Sequence, residues 1–284
     1  MANIDVNGTT LFYEDTGGNG PPIVFSHGLL WDTSLFASQI ALLKKRFRCI
    51  AYDHRGQGKS ADGIGRAIEL KTLTEDAAAL IERLRLGRVH FCGLSLGGIV
   101  GMRLAISRPD LIRSLVLLST TADPEPSKLK YKAMNFIARH FGMASVAGAV
   151  MPALYGRSAL SDPTRFLERA TWKKQLVSNR QTIWRAVNGV MERKSIHAEL
   201  RKITAPTLVA VGDEDVATVP TRAESIAAAI NGAKLVIIPR AGHALTLEAP
   251  AAVTDVIAAF LEEQESKGIV RAMSRNASIR QASV

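Results

Sequence analysis

The sequence predicts an α/β protein: a mostly parallel central sheet with helices on both faces and an inserted helical cap. Two observations carry this. Short apolar runs rich in β-formers alternate with helical patterns of roughly 10–15 residues, the signature of βαβ units. The alternation stops at Asp123-Pro124-Glu125-Pro126 and resumes near Ile203, with few β-rich runs between. The composition agrees: 284 residues, 47% apolar and 22% charged, belong to a folded chain and exclude a wholly disordered one.

Each element has a local reason. Thr10–Glu14 reads as a strand. Pro21-Pro22 punctuates the chain, and Ile23–Ser26 behind it reads as a buried strand. Thr33–Lys45 places Leu35, Phe36, Gln39, Ile40, Leu42 and Leu43 around a helical stripe, with Asp32 or Thr33 as its cap. Arg48–Tyr52 is a second buried strand. Thr72–Leu84 is a helix with Glu75 and Asp76 in its first turn, where the helix dipole favours acids. Val89–Cys92 is a strand, Leu96–Ser107 a helix ended by Pro109, and Ser114–Leu118 a strand. Beyond the cap come strand Thr207–Val211, helix Thr221–Ala229, strand Lys234–Ile238 and helix Ala251–Glu263. The expected division is a core of residues 1–122 and 203–265, a cap of 123–202, and a disordered basic tail of 266–284, which lacks an apolar face.

The formal charge of +10 is uneven: the cap carries +9, the tail +4 and the remainder −3. No zinc-finger spacing, RNP1-like strand or basic heptad supports nucleic-acid binding, and none is expected. No apolar run approaches the ~18–20 residues of a membrane span. The N-terminus has no basic region followed by an apolar one, so a cytoplasmic location is expected. Cys49 and Cys92 lack CxxC spacing and a histidine set; they read as small buried strand residues, with no metal site. Arg271, Arg275 and Arg280 each precede a serine by three positions (Ser274, Ser278, Ser283), a short match to basophilic kinase sites.

The chemistry concentrates at Gly93-Leu94-Ser95-Leu96-Gly97-Gly98, a G-x-S-x-G run between a predicted strand and a predicted helix. A strand entering a helix directly forces a tight, strained turn at Ser95, and the small neighbours let the backbone close around it. A serine hydroxyl is a weak nucleophile and needs a base. Of six histidines, His243 follows strand Lys234–Ile238 and so stands at the carboxyl edge of the sheet, beside the serine. The base needs a carboxylate to hold its tautomer. Gly212-Asp213-Glu214-Asp215 leaves strand Thr207–Val211 at the same edge; Asp215 is the leading candidate, with Asp213 and Asp123 as rivals.

Nucleophile, acid and base in the order Ser95, Asp215, His243 resemble the α/β-hydrolase superfamily. His27-Gly28-Leu29 looks like its H-G-x turn, and Asp53-His54-Arg55-Gly56-Gln57-Gly58-Lys59-Ser60 resembles its D-x-R-G-x-G-x-S segment. The pattern is similar to serine-dependent esterases, enol-lactonases and cofactor-free haloperoxidases. The resemblance implies an α/β-hydrolase fold, an oxyanion hole from the backbone N–H groups of Leu29 and Leu96, and hydrolysis of a small-molecule carboxylic ester or lactone through an acyl-enzyme without cofactor or metal. A C–C bond hydrolase, a perhydrolase or a slow ligand receptor on the same scaffold are its alternatives. Epoxide hydrolases and haloalkane dehalogenases of the superfamily carry Asp where Ser95 stands, so those reactions are disfavoured. The superfamily's strand order would also set Cys49 and Cys92 on strands separated by Ile23–Ser26, too far apart for a disulfide.

The cap leaves two expectations for the pocket. An apolar one would be lined by Trp31, Phe136, Phe141, Met151, Trp172 and Trp184. A basic rim would use Arg139, His140, Lys173, Lys174 and Arg185. The apolar version is preferred, because long basic side chains keep their heads in water.

Overall fold

The computed structural model describes residues 1–281, with side chains described through 268. Eight strands form one sheet: β1 (Ala2–Val6), β2 (Thr9–Asp15), β3 (Pro22–Ser26), β4 (Arg48–Tyr52), β5 (Val89–Leu94), β6 (Ile112–Leu118), β7 (Thr207–Gly212) and β8 (Lys234–Ile238). Their spatial order is β1-β2-β4-β3-β5-β6-β7-β8. β1 and β2 pair antiparallel, as do β2 and β4; all other neighbours are parallel. The parallel strands in the middle are covered on both faces, so every residue of β5 and all but the first of β3 are buried.

β1 escapes the sequence reading. Of its five residues only Val6 is buried, so it shows no clear alternation. The available signal is the Asn7-Gly8 pair, whose φ angles of 44° and 70° make a two-residue hairpin turn into β2.

The helices are α1 (Ala37–Leu43), α2 (Leu70–Arg83), α3 (Leu96–Ser107), α4 (Lys128–Phe141), α5 (Ala147–Leu154), α6 (Arg157–Ser161), α7 (Phe166–Val177), α8 (Trp184–Met191), α9 (Pro220–Ala229), α10 (Leu245–Glu248) and α11 (Pro250–Gln281). α1, α10 and α11 pack together on one side of the sheet; α2 and α3 pack together on the other, with α9 against β7 and β8. The first predicted helix begins instead as a 3₁₀ turn, Thr33–Phe36, whose cap Asp32 accepts the Ser34 N–H at 2.9 Å. Between β6 and β7 the described chain forms only helical elements, α4 to α8 with short 3₁₀ turns.

α11 runs on from the core into the basic segment 266–284, and its backbone is helical to Gln281. A helix already docked by Val253, Ile257, Phe260 and Leu261 needs no new nucleus, so extension is inexpensive even without an apolar face. The serine motifs there lie outside the residues with described side chains. The cysteines are free and buried: Cys49 pairs in register with Ile23 and Cys92 with Phe25, on opposite sides of β3.

Candidate active site

Ser95 occupies the single residue between β5 and α3, with φ 53° and ψ −111°. That left-handed, strained geometry is held from several sides. The Ser95 N–H donates to the Leu118 carbonyl at 2.9 Å, and its carbonyl accepts from Thr120 Oγ1 at 2.7 Å. A Cβ on Gly97 would overlap the Ser26 carbonyl, and one on Gly93 the Gly97 carbonyl. Glycine at both positions lets α3 start this close to β3 and β5.

His243 lies in the loop after β8 and Asp215 in the loop after β7. The His243 Nδ1–H faces Asp215 Oδ2 at 2.9 Å. Asp215 also accepts from the Ala217 and Thr218 N–H groups at 2.9 and 2.8 Å and from Thr218 Oγ1 at 2.8 Å. Burial pushes the Asp215 carboxyl upward, but the His243 charge and the hydrogen bonds from His243 and Thr218 outweigh it, holding the group below the ordinary carboxylate range. The rival acids are elsewhere. Asp123 pairs with Arg222, Asp213 is exposed, and Glu214 accepts from Ser158 of α6. Ser95 and His243 line one cavity, and no hydrogen bond joins their side chains. Such bonds are commonly long in a free enzyme.

Leu29 and Leu30, of the turn His27-Gly28-Leu29-Leu30, line the same cavity as Ser95. Leu30 takes φ 75°, and both ends of its peptide are anchored: its N–H donates to Gln57 Oε1 at 2.9 Å, and its carbonyl accepts from Asn179 Nδ2 at 2.9 Å. Among the described residues the Leu29 N–H has no hydrogen-bond acceptor, and the Leu96 N–H, at the first turn of α3, has no intrahelical one. The Asp53–Ser60 segment braces this turn. Asp53 accepts from the Thr33 and Lys59 N–H groups, each at 2.7 Å, and Ser60 Oγ donates to the Asp53 carbonyl at 2.6 Å.

The pocket is mostly apolar, the version preferred from the sequence, but different residues line it. The cavity above Ser95 measures about 150 Å³, and Trp31 is the only one of the six anticipated apolar residues that lines it. Phe136 and Phe141 point outward, Trp172 stacks on Tyr155, and Trp184 carries Arg139. The walls are Ile99, Met134, Ala138, Val146, Val150 and Val187, with others. None of Arg139, His140, Lys173, Lys174 and Arg185 lines it; Lys130 and Arg193 do, and Arg193 is paired to Glu125 at 3.1 Å. For Phe136 and Phe141 the reason is the phase of α4, which turns Tyr131, Met134 and Ala138 toward the cavity instead.

Glu248 was also missed, and no spacing marks it. Its Oε2 accepts both the Gly156 N–H at 2.7 Å and the Gly242 N–H at 3.0 Å, tying the start of α6 to the His243 loop.

Comparison with known proteins agrees with this architecture. The family described as "Alpha/beta hydrolase family" matches residues 23–256. The curated protein named "Putative carbamate hydrolase RutD" of Pseudomonas syringae pv. syringae is 26% identical, over 89% of this chain and 98% of its own. An enol-lactonase from Burkholderia xenovorans superposes with a TM-score of 0.86 at 31% identity, over 92% of this chain and 100% of its own. A thermophilic esterase from Thermogutta terrifontis superposes with a TM-score of 0.85 at 28% identity, over 93% and 99%.

Proposed function

Because the chain belongs to the α/β-hydrolase family, we propose that it is a serine hydrolase cleaving a carboxylic ester or lactone through an acyl-enzyme. The observation that carries this reading is the buried Asp215–His243 hydrogen bond opening into the same cavity as the strained Ser95. With Nδ1–H committed to Asp215, the free lone pair of His243 is on Nε2, the atom a general base must offer. His243 Nε2 takes the Ser95 Oγ proton as Oγ bonds to the carbonyl carbon. The resulting oxyanion is received by the Leu29 and Leu96 N–H groups, each such donor lowering the barrier by ~3–4 kcal/mol. His243 returns the proton to the leaving alkoxide, and the acyl group remains on Ser95. Water, deprotonated by His243, then releases the acid.

The cavity is small and mostly apolar, about the size that holds a benzene-sized group, which favours a compact neutral acyl group. The relative named for carbamate hydrolysis supports a second substrate class, since a carbamate offers Ser95 the same kind of carbonyl carbon. The test is a screen of ester, lactone and carbamate substrates with wild type and Ser95→Ala. Wild type should turn over at least an activated ester and Ser95→Ala should not. An organophosphonate should add once, at Ser95. A folded mutant that retains more than a few per cent of the rate would overturn the assignment, and a wild type that binds such compounds without turnover would make the chain a receptor.

A further inference from the structure

α4 has two apolar faces and only one is used. Tyr131, Met134, Asn135 and Ala138, spaced as one helical face, line the cavity. The opposite face carries Leu129, Ala133, Phe136 and Ile137 in the same spacing, with Phe141 at its edge. Leu129 is 84% exposed, Phe136 62% and Phe141 73%. A soluble helix ordinarily turns polar residues outward, so a row of large apolar side chains in water marks a contact surface.

Charge identifies what covers it. Lys128, Lys132 and Arg139 flank the apolar row on one side and are exposed. α4 contains no Asp or Glu at all, and the whole segment 123–202 carries +9. A second copy of this chain joined through the same face would set cations against cations with no acid on the helix to offset them. A nucleic acid would meet the cations and leave the Leu and Phe row unburied. An anionic bilayer surface satisfies both: Leu129, Phe136 and Phe141 enter the acyl boundary while Lys128, Lys132 and Arg139 lie at phosphate level. We infer that the outer face of α4 docks this protein on anionic lipid surfaces. Because the inner face of the same helix is a wall of the cavity, docking would also set that cavity beside the bilayer.

The experiment is flotation of the full chain with phosphatidylcholine vesicles, with and without phosphatidylglycerol, across a salt series. Wild type should float with the anionic vesicles and not the neutral ones, and binding should fall as salt rises. Removing one of Lys128, Lys132 and Arg139 as Gln should weaken it roughly fivefold each. The pair Phe136→Ser and Phe141→Ser should abolish flotation while leaving the melting temperature unchanged, because both rings are exposed. Absence of wild-type flotation would overturn the inference, as would flotation that survives the Phe pair, since binding would then lie elsewhere. A concentration-dependent dimer that the Phe pair dissociates, without lipid binding, would assign the face to a second copy instead.

Discussion

Oδ2 of Asp215 and Nδ1 of His243 stand 2.9 Å apart with their side chains only 0% and 5% exposed. Water cannot substitute for this contact. Asp215→Asn would present an amide to the imidazole and leave the wrong tautomer, an effect of ~10⁴ on turnover in a comparable triad. Asp123→Asn and Asp213→Asn should have little effect, because one pairs with Arg222 and the other is exposed. Rates on an activated ester measure the contrast; a damaging Asp123→Asn would move the acid to the loop after β6.

Glu248 should matter as an acceptor more than as a charge. Burial pushes its carboxyl up, against the pull of the Gly156 and Gly242 N–H groups. Glu248→Ala leaves those two buried N–H groups without a partner, at ~1–3 kcal/mol each, and frees the loop that carries His243. Glu248→Gln keeps an acceptor and should lose less in both melting temperature and turnover. Equal damage from the two variants would mean that the charge is what counts.

Gly97→Ala should be costly for a steric reason. The new methyl meets the Ser26 carbonyl, which is backbone and cannot swing away, so α3 must lift from β3. The expected loss is ~1–3 kcal/mol, a melting temperature lower by ~2–4 °C per kcal/mol, with a disproportionate loss of turnover because Ser95 moves too. Gly148→Ala, with nothing within 4 Å, is the control and should be neutral or slightly stabilising.

Acid should destabilise the protein through three buried histidines well before carboxylates protonate. His27 is held neutral by geometry: Nε2 accepts the His54 N–H at 3.0 Å, and Nδ1 faces the Gly28 carbonyl at 2.7 Å. Burial lowers the pKa values of His27 and His54, and that of His90 to about 4. Below the unfolded value of ~6.5 the unfolded chain takes up protons that the folded chain refuses. Stability is therefore full above that pH and falls as pH drops toward 4, by at most ~1.4 kcal/mol per pH unit for each histidine. Denaturant titrations at pH 7.5, 6 and 5 should show this slope; a flat profile would contradict it. The contribution of Asp215, whose pKa is depressed, is lost only at still lower pH.

How much was legible follows the range of the forces involved. β3, β4, β5 and β8, and α3 with Ser95 before it, were readable because short apolar runs, glycine and helix patterns are written in neighbouring residues. Asp215 could be ranked but not separated from Asp213 and Asp123 locally, since all three follow strands at one sheet edge. The contact with His243, 28 residues away, separates them.

By itself, then, the sequence determined the alternation of strands and helices, the helical insertion after β6, and the serine elbow, each a consequence of short-range sterics and hydrophobic period. Only the tertiary structure decided which acid meets the histidine, that Glu248, Gln57 and Asn179 brace the loops above Ser95, and that Tyr131 and Met134 face the cavity while Phe136 and Phe141 face water. The reason is physical. A helix has an apolar stripe by sequence, but α4 has two, and the one it buries is chosen by which partner surface is near enough to exclude water from it.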